Sequence, residues 1–411
     1  MYEILKSKLE GFNENPIKFT EGLLRTPSES LNEKKISELI YNQMQKLGYD
    51  RVFRDKIGNV IGMVMGRDSG PNVLLNSHMD TISYNSEENG SDDIYQGHRE
   101  NGFIMGPGAS DCKGGISAQI FAGALLKNSL LPLKGNLIVA LTVAEENGRS
   151  VGLRALLHET LPGLELQKPD YAILGEPTDL GIYYGHDGWF TSNLNFRGLS
   201  PFVVNDAVRF VEEELKILFP NKGNGNNCQI LSCLPPIFGI NGDECDARIQ
   251  VDRRIPEMTS ATYLKEEFQG ILSQIKKYFR GTVNIDVEIP HNEEQVFTGE
   301  KFVVPQITSA WSMDPFNPIM LRAKQALSDA GCEIRASKWQ LKKMGMGTGG
   351  GTLVNEFHIP TIGYGPGDES VAHNPCEVLE VKKLYKAIYG TASIVQSLIG
   401  FPVAGWTSDE I

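Results

Sequence analysis

Two adjacent carboxylates, Glu145 and Glu146, close the run LIVALTVAEEN at residues 137–147. The eight residues before them are uncharged, mostly apolar and rich in β-branched types, a composition that suits a strand buried on both faces. Neighbouring side chains on a strand point to opposite faces, so two glutamates serve one site only where the strand has ended and the chain turns. One such carboxylate is placed to hold a metal ion and its neighbour to take a proton from water. Three further stretches end in the same way. NVLLNSHMD delivers His78 and Asp80, YAILGE delivers Glu176, and IPTIGYGPGDESVAH delivers His373 after a loop whose glycines permit tight turns. His78 and Asp80 share a face if the strand continues that far, which lets the imidazole bind an ion while the aspartate holds its other nitrogen. Asp111 stands in a Gly-rich loop, GPGASDCKGG, just before an apolar helical pattern. Histidines with carboxylates suit zinc, with cobalt or manganese as substitutes, better than magnesium. An aspartate bridging two ions about 3.5–4 Å apart would suit hydrolysis by water whose pKa coordination lowers towards about 7. Each residue alone has a plain structural reading: a strand-end pair, a solvated turn, a helix cap. Their shared placement after buried strands or a glycine loop favours the chemical one.

The elements that must position these residues alternate. Short extended runs near residues 60–65 and 73–80, the 137–144 run and YAILGE are separated by helical patterns, among them Ile36, Leu39, Ile40, Met44 and Leu47 before Gly48. That alternation predicts an α/β fold with a mixed, mostly parallel sheet flanked by helices. The pattern changes near Gly185. TSNLNFRG, ILSCLPPIFGI, ARIQVDRRI and VNIDVEI read as strands, and NDAVRFVEEELKILF, capped by Asn205 or Asp206, and ATYLKEEFQGILSQIKKYF read as amphipathic helices. This α+β unit carries no catalytic cluster, and the earlier style returns after Lys301. The economical division is a catalytic domain at 1–185 and 298–411, interrupted by an inserted domain at 186–297. The opening stretch to about residue 19 reads as a surface helix.

The 411 residues exceed one ordinary core, and 41% hydrophobic with 22% charged residues fits a globular protein. A formal net charge of −12 argues against nucleic acid and anionic membrane as partners. The charge does not indicate which small-molecule substrate binds, because a cationic metal centre can reverse the sign locally. No early apolar run resembles a signal peptide or a spanning helix, and six cysteines without a CxxC pair read as reduced thiols of a cytoplasmic protein.

The ordered set SHMD, GASDCKGG, AEEN, GEPTD and the late GPG…AHNP resembles the zinc-dependent aminoacylases, acetylornithine deacetylases, succinyl-diaminopimelate desuccinylases and glutamate carboxypeptidases. The resemblance covers nearly the whole chain. Within that family it looks closest to the selenium-metabolism-linked hydrolase branch, which VDRRI, the Phe297-Thr298-Gly299 turn and SKWQ…GTGGGT resemble. It implies two zinc ions per subunit, one held by His78 and Glu176, the other by Glu146 and His373, with Asp111 bridging. Asp80 would orient His78, and Glu145 would be the general base of amide hydrolysis beside a carboxylate, on an N-acyl or N-carbamoyl amino acid or a dipeptide. The inserted domain would act as lid and homodimer interface. The chain departs from this pattern first in the lid: the family's lid histidine, an oxyanion donor, has no counterpart in FRGLSPFVVNDAV. A hydrolysis-deficient homologue, or another amide or ring-opening reaction at the same site, therefore stays open. For the substrate's carboxylate, Thr348 matches a family threonine, followed here by Gly349 where the family has a polar residue. Arg253 and Arg254 offer guanidinium forks, with a strand-end salt bridge as the competing role. Trp189, Trp311 and Trp339 read as packing.

Overall fold

The computed structural model describes residues 1–83, 95–146, 149–219, 228–238, 244–257, 259–341 and 346–401. Asn147 of AEEN, Gly239 and Ile240 of ILSCLPPIFGI, and Gly345 beside GTGGGT lie outside the described residues.

Eight strands form the central sheet: β1 (Arg51–Arg54), β2 (Val60–Val64), β3 (Val73–His78), β4 (Leu137–Thr142), β5 (Tyr171–Leu174), β6 (Ile182–Tyr183), β11 (Ala336–Ser337) and β12 (Thr361–Gly363). Their spatial order is β1, β2, β4, β3, β5, β12, β6, β11. The middle four are mutually parallel, and antiparallel pairs flank them. The sheet is thus mixed and mostly parallel, as the alternation of patterns implies. Along β4, Leu137, Val139 and Leu141 enter one hydrophobic cluster while Ile138 and Ala140 enter another on the opposite face. Burial on both faces is what an unbroken apolar run requires, and each fully buried Leu, Ile or Val contributes about 1.5–3 kcal/mol. Polar pins lie within this layer. Asn76 donates to Ala140 O at 3.0 Å and Thr142 Oγ1 at 3.1 Å, and Ser77 Oγ donates to Gln119 at 2.9 Å.

Helices α1 (Tyr2–Glu10), α2 (Asn15–Leu24), α3 (Lys34–Lys46) and α4 (Lys113–Ser129) precede the inserted unit. The opening stretch is therefore two helices, and α2 buries Ile17, Phe19, Leu23 and Leu24. The single-surface-helix expectation fails because the break at residues 11–14 separates a wet segment from an apolar one.

A second sheet comprises β7 (Gly188–Gly198), β8 (Cys228–Phe238), β9 (Cys245–Ile255) and β10 (Val283–Glu288), antiparallel in the order β8, β9, β7, β10. Helices α5 (Pro201–Leu218) and α6 (Ala261–Tyr278) pack on it around a separate core that includes Phe190, Phe196, Val208, Ile249 and Phe268. Helix α5 starts earlier than its polar residues imply. Pro201 occupies the first turn, after Ser200, so Asn205 and Asp206 lie inside the helix rather than capping it. Ile307–Thr308 pairs with β7, so the chain re-entering the larger unit remains zipped to the second sheet. Helices α7 (Pro318–Asp329) and α8 (Val381–Ile399) complete the larger layer. No helix among the described residues is long and apolar enough to cross a membrane.

Candidate metal centre

Strand β3 ends at His78, two residues before Asp80, so the regular strand does not itself carry both side chains. Asp80 nonetheless serves the histidine. His78 Nδ1 lies 2.9 Å from the main-chain oxygen of Asp80 and 3.5 Å from its Oδ1. A carbonyl only accepts, so Nδ1 carries a hydrogen, and Nε2 is the atom that faces the cluster and would bind an ion. The Asp80 carboxylate is spent differently: Oδ1 accepts Glu145 N at 3.1 Å, and Oδ2 accepts Glu146 N at 2.9 Å. Its main task is therefore to hold the turn after β4, where both glutamates leave the strand.

His78 Nε2 stands 3.1 Å from Asp111 Oδ1 and 3.7 Å from Glu176 Oε2. His373 Nε2 stands 2.9 Å from Glu146 Oε1 and 3.4 Å from Asp111 Oδ2. Asp111 thus lies between two groups: His78, Asp111, Cys112 and Glu176, and Asp111, Glu146 and His373, each with ligand atoms within 4.8 Å of one another. Residues spread over almost three hundred positions meet on one sheet rim. Cys112 was not anticipated here; its thiol points at Gly175 O, 3.3 Å away, and burial pushes its pKa well up.

Glycines let the loops close on one another: neither Gly365 nor Gly367 takes a positive φ, and both lie in close backbone contact. A Cβ on Gly365 would sit 2.4 Å from Glu176 O, and one on Gly367 would sit 2.2 Å from Ser110 O. Close backbone approach is what brings the His373 loop against the Asp111 and Glu176 segments.

Burial raises the pKa of Glu145 well above the usual carboxylate range and raises Glu146 too; it lifts Glu176 to about 7. For His373 burial works against the charge, but hydrogen bonds to Asp111 and Glu146 outweigh it and lift the pKa to about 11. Crowded carboxylates around imidazoles form an environment that calls for positive charge, and a pair of dications would supply it. The donor set fits that role: nitrogen and oxygen ligands, one shared carboxylate, and a histidine whose far nitrogen is fixed.

Three supporting residues escaped the sequence reading. Glu377 Oε2 accepts Ser110 N at 2.8 Å and Asp111 N at 2.9 Å, fixing the Asp111 loop. Glu33 Oε1 accepts Ala144 N at 2.9 Å. Arg149 lines a cleft beside Glu145, together with Glu146, Ser150, Thr308, Ser309 and Thr352. A charge soon after AEEN was the available signal for Arg149; the other two had none.

The substrate-binding expectations fare differently. Arg253 is not brought to the cluster. It lies in the core of the inserted unit, 4.5 Å over Phe219 and 4.8 Å over Phe268, and pairs with Glu267. Arg254 pairs with Asp187 at the start of that unit. For both, the structural salt bridge prevails. Thr348 does line the cleft beside Glu145, yet its hydroxyl is committed. It accepts from Trp311 Nε1 at 3.2 Å and from Gly350 N at 3.2 Å, and lies 2.9 Å from His186 Nε2. His186 Nδ1 faces Asp187 O at 2.7 Å and so carries the hydrogen, leaving Nε2 to accept from the hydroxyl and from Thr348 N at 3.0 Å. Thr348 therefore has no proton left for a substrate carboxylate.

The chain is 24% identical over 414 residues to N-formyl-4-amino-5-aminomethyl-2-methylpyrimidine deformylase of Bacillus subtilis, covering 92% of this chain and 93% of the relative. It is 25% identical over 385 residues to a putative LysW-lysine/LysW-ornithine hydrolase of Pyrococcus abyssi, covering 93% and 94%. In fold it is similar to the YXEP protein of Bacillus subtilis, described as a dinuclear metal binding peptidase, with a TM-score of 0.64 at 14% identity over 94% of this chain and 98% of that one. Residues 74–397 match peptidase family M20/M25/M40, and a match over most of its length makes this chain a member of that family of metal-dependent hydrolases.

Proposed function

We propose that the protein hydrolyses the amide of an N-acyl or N-carbamoyl amino acid, or of a dipeptide, with Glu145 as general base. The observation that carries this reading is the convergence of two ligand groups on Asp111 with Glu145 alongside. In it, His78 and Glu176 hold one ion, Glu146 and His373 the other, and Asp111 bridges. Zinc suits the donors best, two per subunit, with cobalt or manganese able to substitute. Bound ions would polarise the scissile carbonyl and make water nucleophilic near neutral pH. Glu145 takes the proton of the attacking water and returns it to the leaving nitrogen. Its buried position, beside Ser150 Oγ at 3.3 Å, raises its proton affinity towards the range a base needs. Asp80 fixes His78 and the Glu145 turn, and Arg149 offers the substrate's carboxylate a counter-ion in the adjoining cleft.

Residues 186–297 make up the lid in this proposal, and the lid is also where two copies would pair as a homodimer. No histidine occurs between Asp187 and Pro290, and α5 begins three residues after Gly198, so the stretch that follows β7 carries no imidazole to lend to a neighbouring site. That observation favours a second reading, a metal-binding homologue with little hydrolysis. The test is a panel of N-acetyl, N-formyl and N-carbamoyl amino acids and dipeptides, run on zinc- and cobalt-loaded protein. Turnover lost on Glu145→Gln, with bound metal retained, supports the first reading. Stoichiometric metal with no turnover across the panel supports the second.

A further inference from the structure

Three consecutive main-chain N–H groups, those of Ala144, Glu145 and Glu146, donate to two buried carboxylates. Asp80 takes the last two, and Glu33 takes the first. The oxygen of Glu33 that accepts Ala144 N also accepts Leu31 N, again at 2.9 Å. Both donors are non-glycine residues in the left-handed region, Ala144 at φ +52° and Leu31 at φ +72°. L-residues stay there only when surrounding contacts hold them.

Glu33 immediately precedes α3, and the ordinary role for a polar residue there is to cap the helix. It does not: its side chain makes no capping hydrogen bond to α3. The carboxylate turns instead into the sheet rim, where it is 0% exposed and its other oxygen has no hydrogen-bond partner among the described residues. Placing a carboxyl group in such surroundings is unfavourable, and burial, with Asp80 nearby, lifts its pKa to about 8. The segment that presents it is itself tied to the His78 side. Ser30 Oγ donates to Asp80 Oδ2 at 2.5 Å, Ser30 N to Thr81 O at 3.2 Å, and Thr81 N to Ser28 O at 2.9 Å.

We propose that Glu33 is a positioning residue for hydrolysis, holding Ala144 in its left-handed conformation and so setting the direction from which Glu145 enters the site. The proposal rests on the reading of Glu145 as base. A nucleophile-activating carboxylate swung by one ångström loses most of its value, so the effect belongs in kcat rather than in KM or metal content.

The experiment compares Glu33→Leu, which removes the accepting oxygen at similar volume, with Glu33→Gln, which keeps it. Each zinc-loaded variant is measured for kcat and KM on an N-acetyl amino acid, for zinc stoichiometry, and for amide exchange at residues 144–146. Glu33→Leu should lower kcat about 10–100-fold, leave KM and zinc content near the parent's, and speed exchange about tenfold or more, while Glu33→Gln stays within about threefold. A Glu33→Leu protein with parental kcat and parental exchange overturns the proposal. So does equal loss in both variants, or loss of zinc in step with kcat, since either marks a general structural role. Glu145→Gln separates the two layers of inference. If that variant still turns over, the base assignment fails; if it is inert while Glu33→Leu is fully active, only the role of Glu33 fails.

Discussion

At the rim of the central sheet, His78, Asp111, Glu146, Glu176 and His373 turn their polar atoms toward one another, whereas in the inserted unit Arg253 lies between two phenyl rings with Glu267 against it. Both regions bury charge. In the inserted unit the charge is met where it stands, by a carboxylate and by aromatic faces. At the rim, several carboxylates share two imidazoles, and the main-chain N–H groups around them are used to fix loops. Buried charge therefore marks chemistry when like charges converge, and architecture when each has its own partner.

Four measurements would break or sharpen this division. The largest effect is expected at the rim: Glu145→Gln should lower kcat about 10³-fold or more with two ions still bound, read by steady-state rates and elemental analysis. Substantial residual turnover would remove Glu145 from the mechanism. Next comes His186, which is buried beside Trp311 and Trp339; burial depresses its pKa to about 4. The folded state thus prefers the neutral ring. Its contribution is complete above the unfolded value of about 6.5 and is lost as pH falls from there towards 4, by roughly 3 kcal/mol. Urea unfolding at pH 7.5 and 4.5 should show that loss in the parent and a smaller one in His186→Gln; equal losses would mean the ring is charged or wet when folded. Third, Arg149→Ala should raise KM for an N-acyl amino acid about 30-fold while sparing the matching primary amide, which lacks the carboxylate. Equal changes for both would move anion recognition elsewhere. Smallest is Arg253→Met, expected to cost about 1–2 kcal/mol in chemical denaturation with kcat/KM unchanged. A fall in kcat/KM beyond about threefold would join the interior of the inserted unit to the active site.

Much of this was legible in the chain because strand ends announce themselves. An apolar run that stops at a charged or imidazole residue specifies a buried strand and what stands at its mouth, and β3, β4 and β5 all follow that rule. What sequence could not supply was any pairing that depends on the loops meeting. Glu33 and Ala144 are 111 positions apart, and Glu377 and Asp111 are 266 apart, so no spacing rule links them. Arg253 and Arg254 misled for a related reason, since an arginine on a strand carries no mark of whether its partner is a substrate or a glutamate. The start of α5 was readable but outweighed: Asn205 and Asp206 looked like caps, while Pro201 held the true signal.

A sheet greasy above and below has no wet side to tell it where to stop sliding. Shifting β3 past β4 by one step would set Val73, Leu74 and Leu75 against other apolar residues of β4 at little hydrophobic cost, yet carry the imidazole about 3.3 Å from its partners. Asn76, clasping Ala140 and Thr142 across that seam, makes such a slip expensive. The address of the rim imidazole is thus written one layer down, in a buried amide two residues back along the same strand.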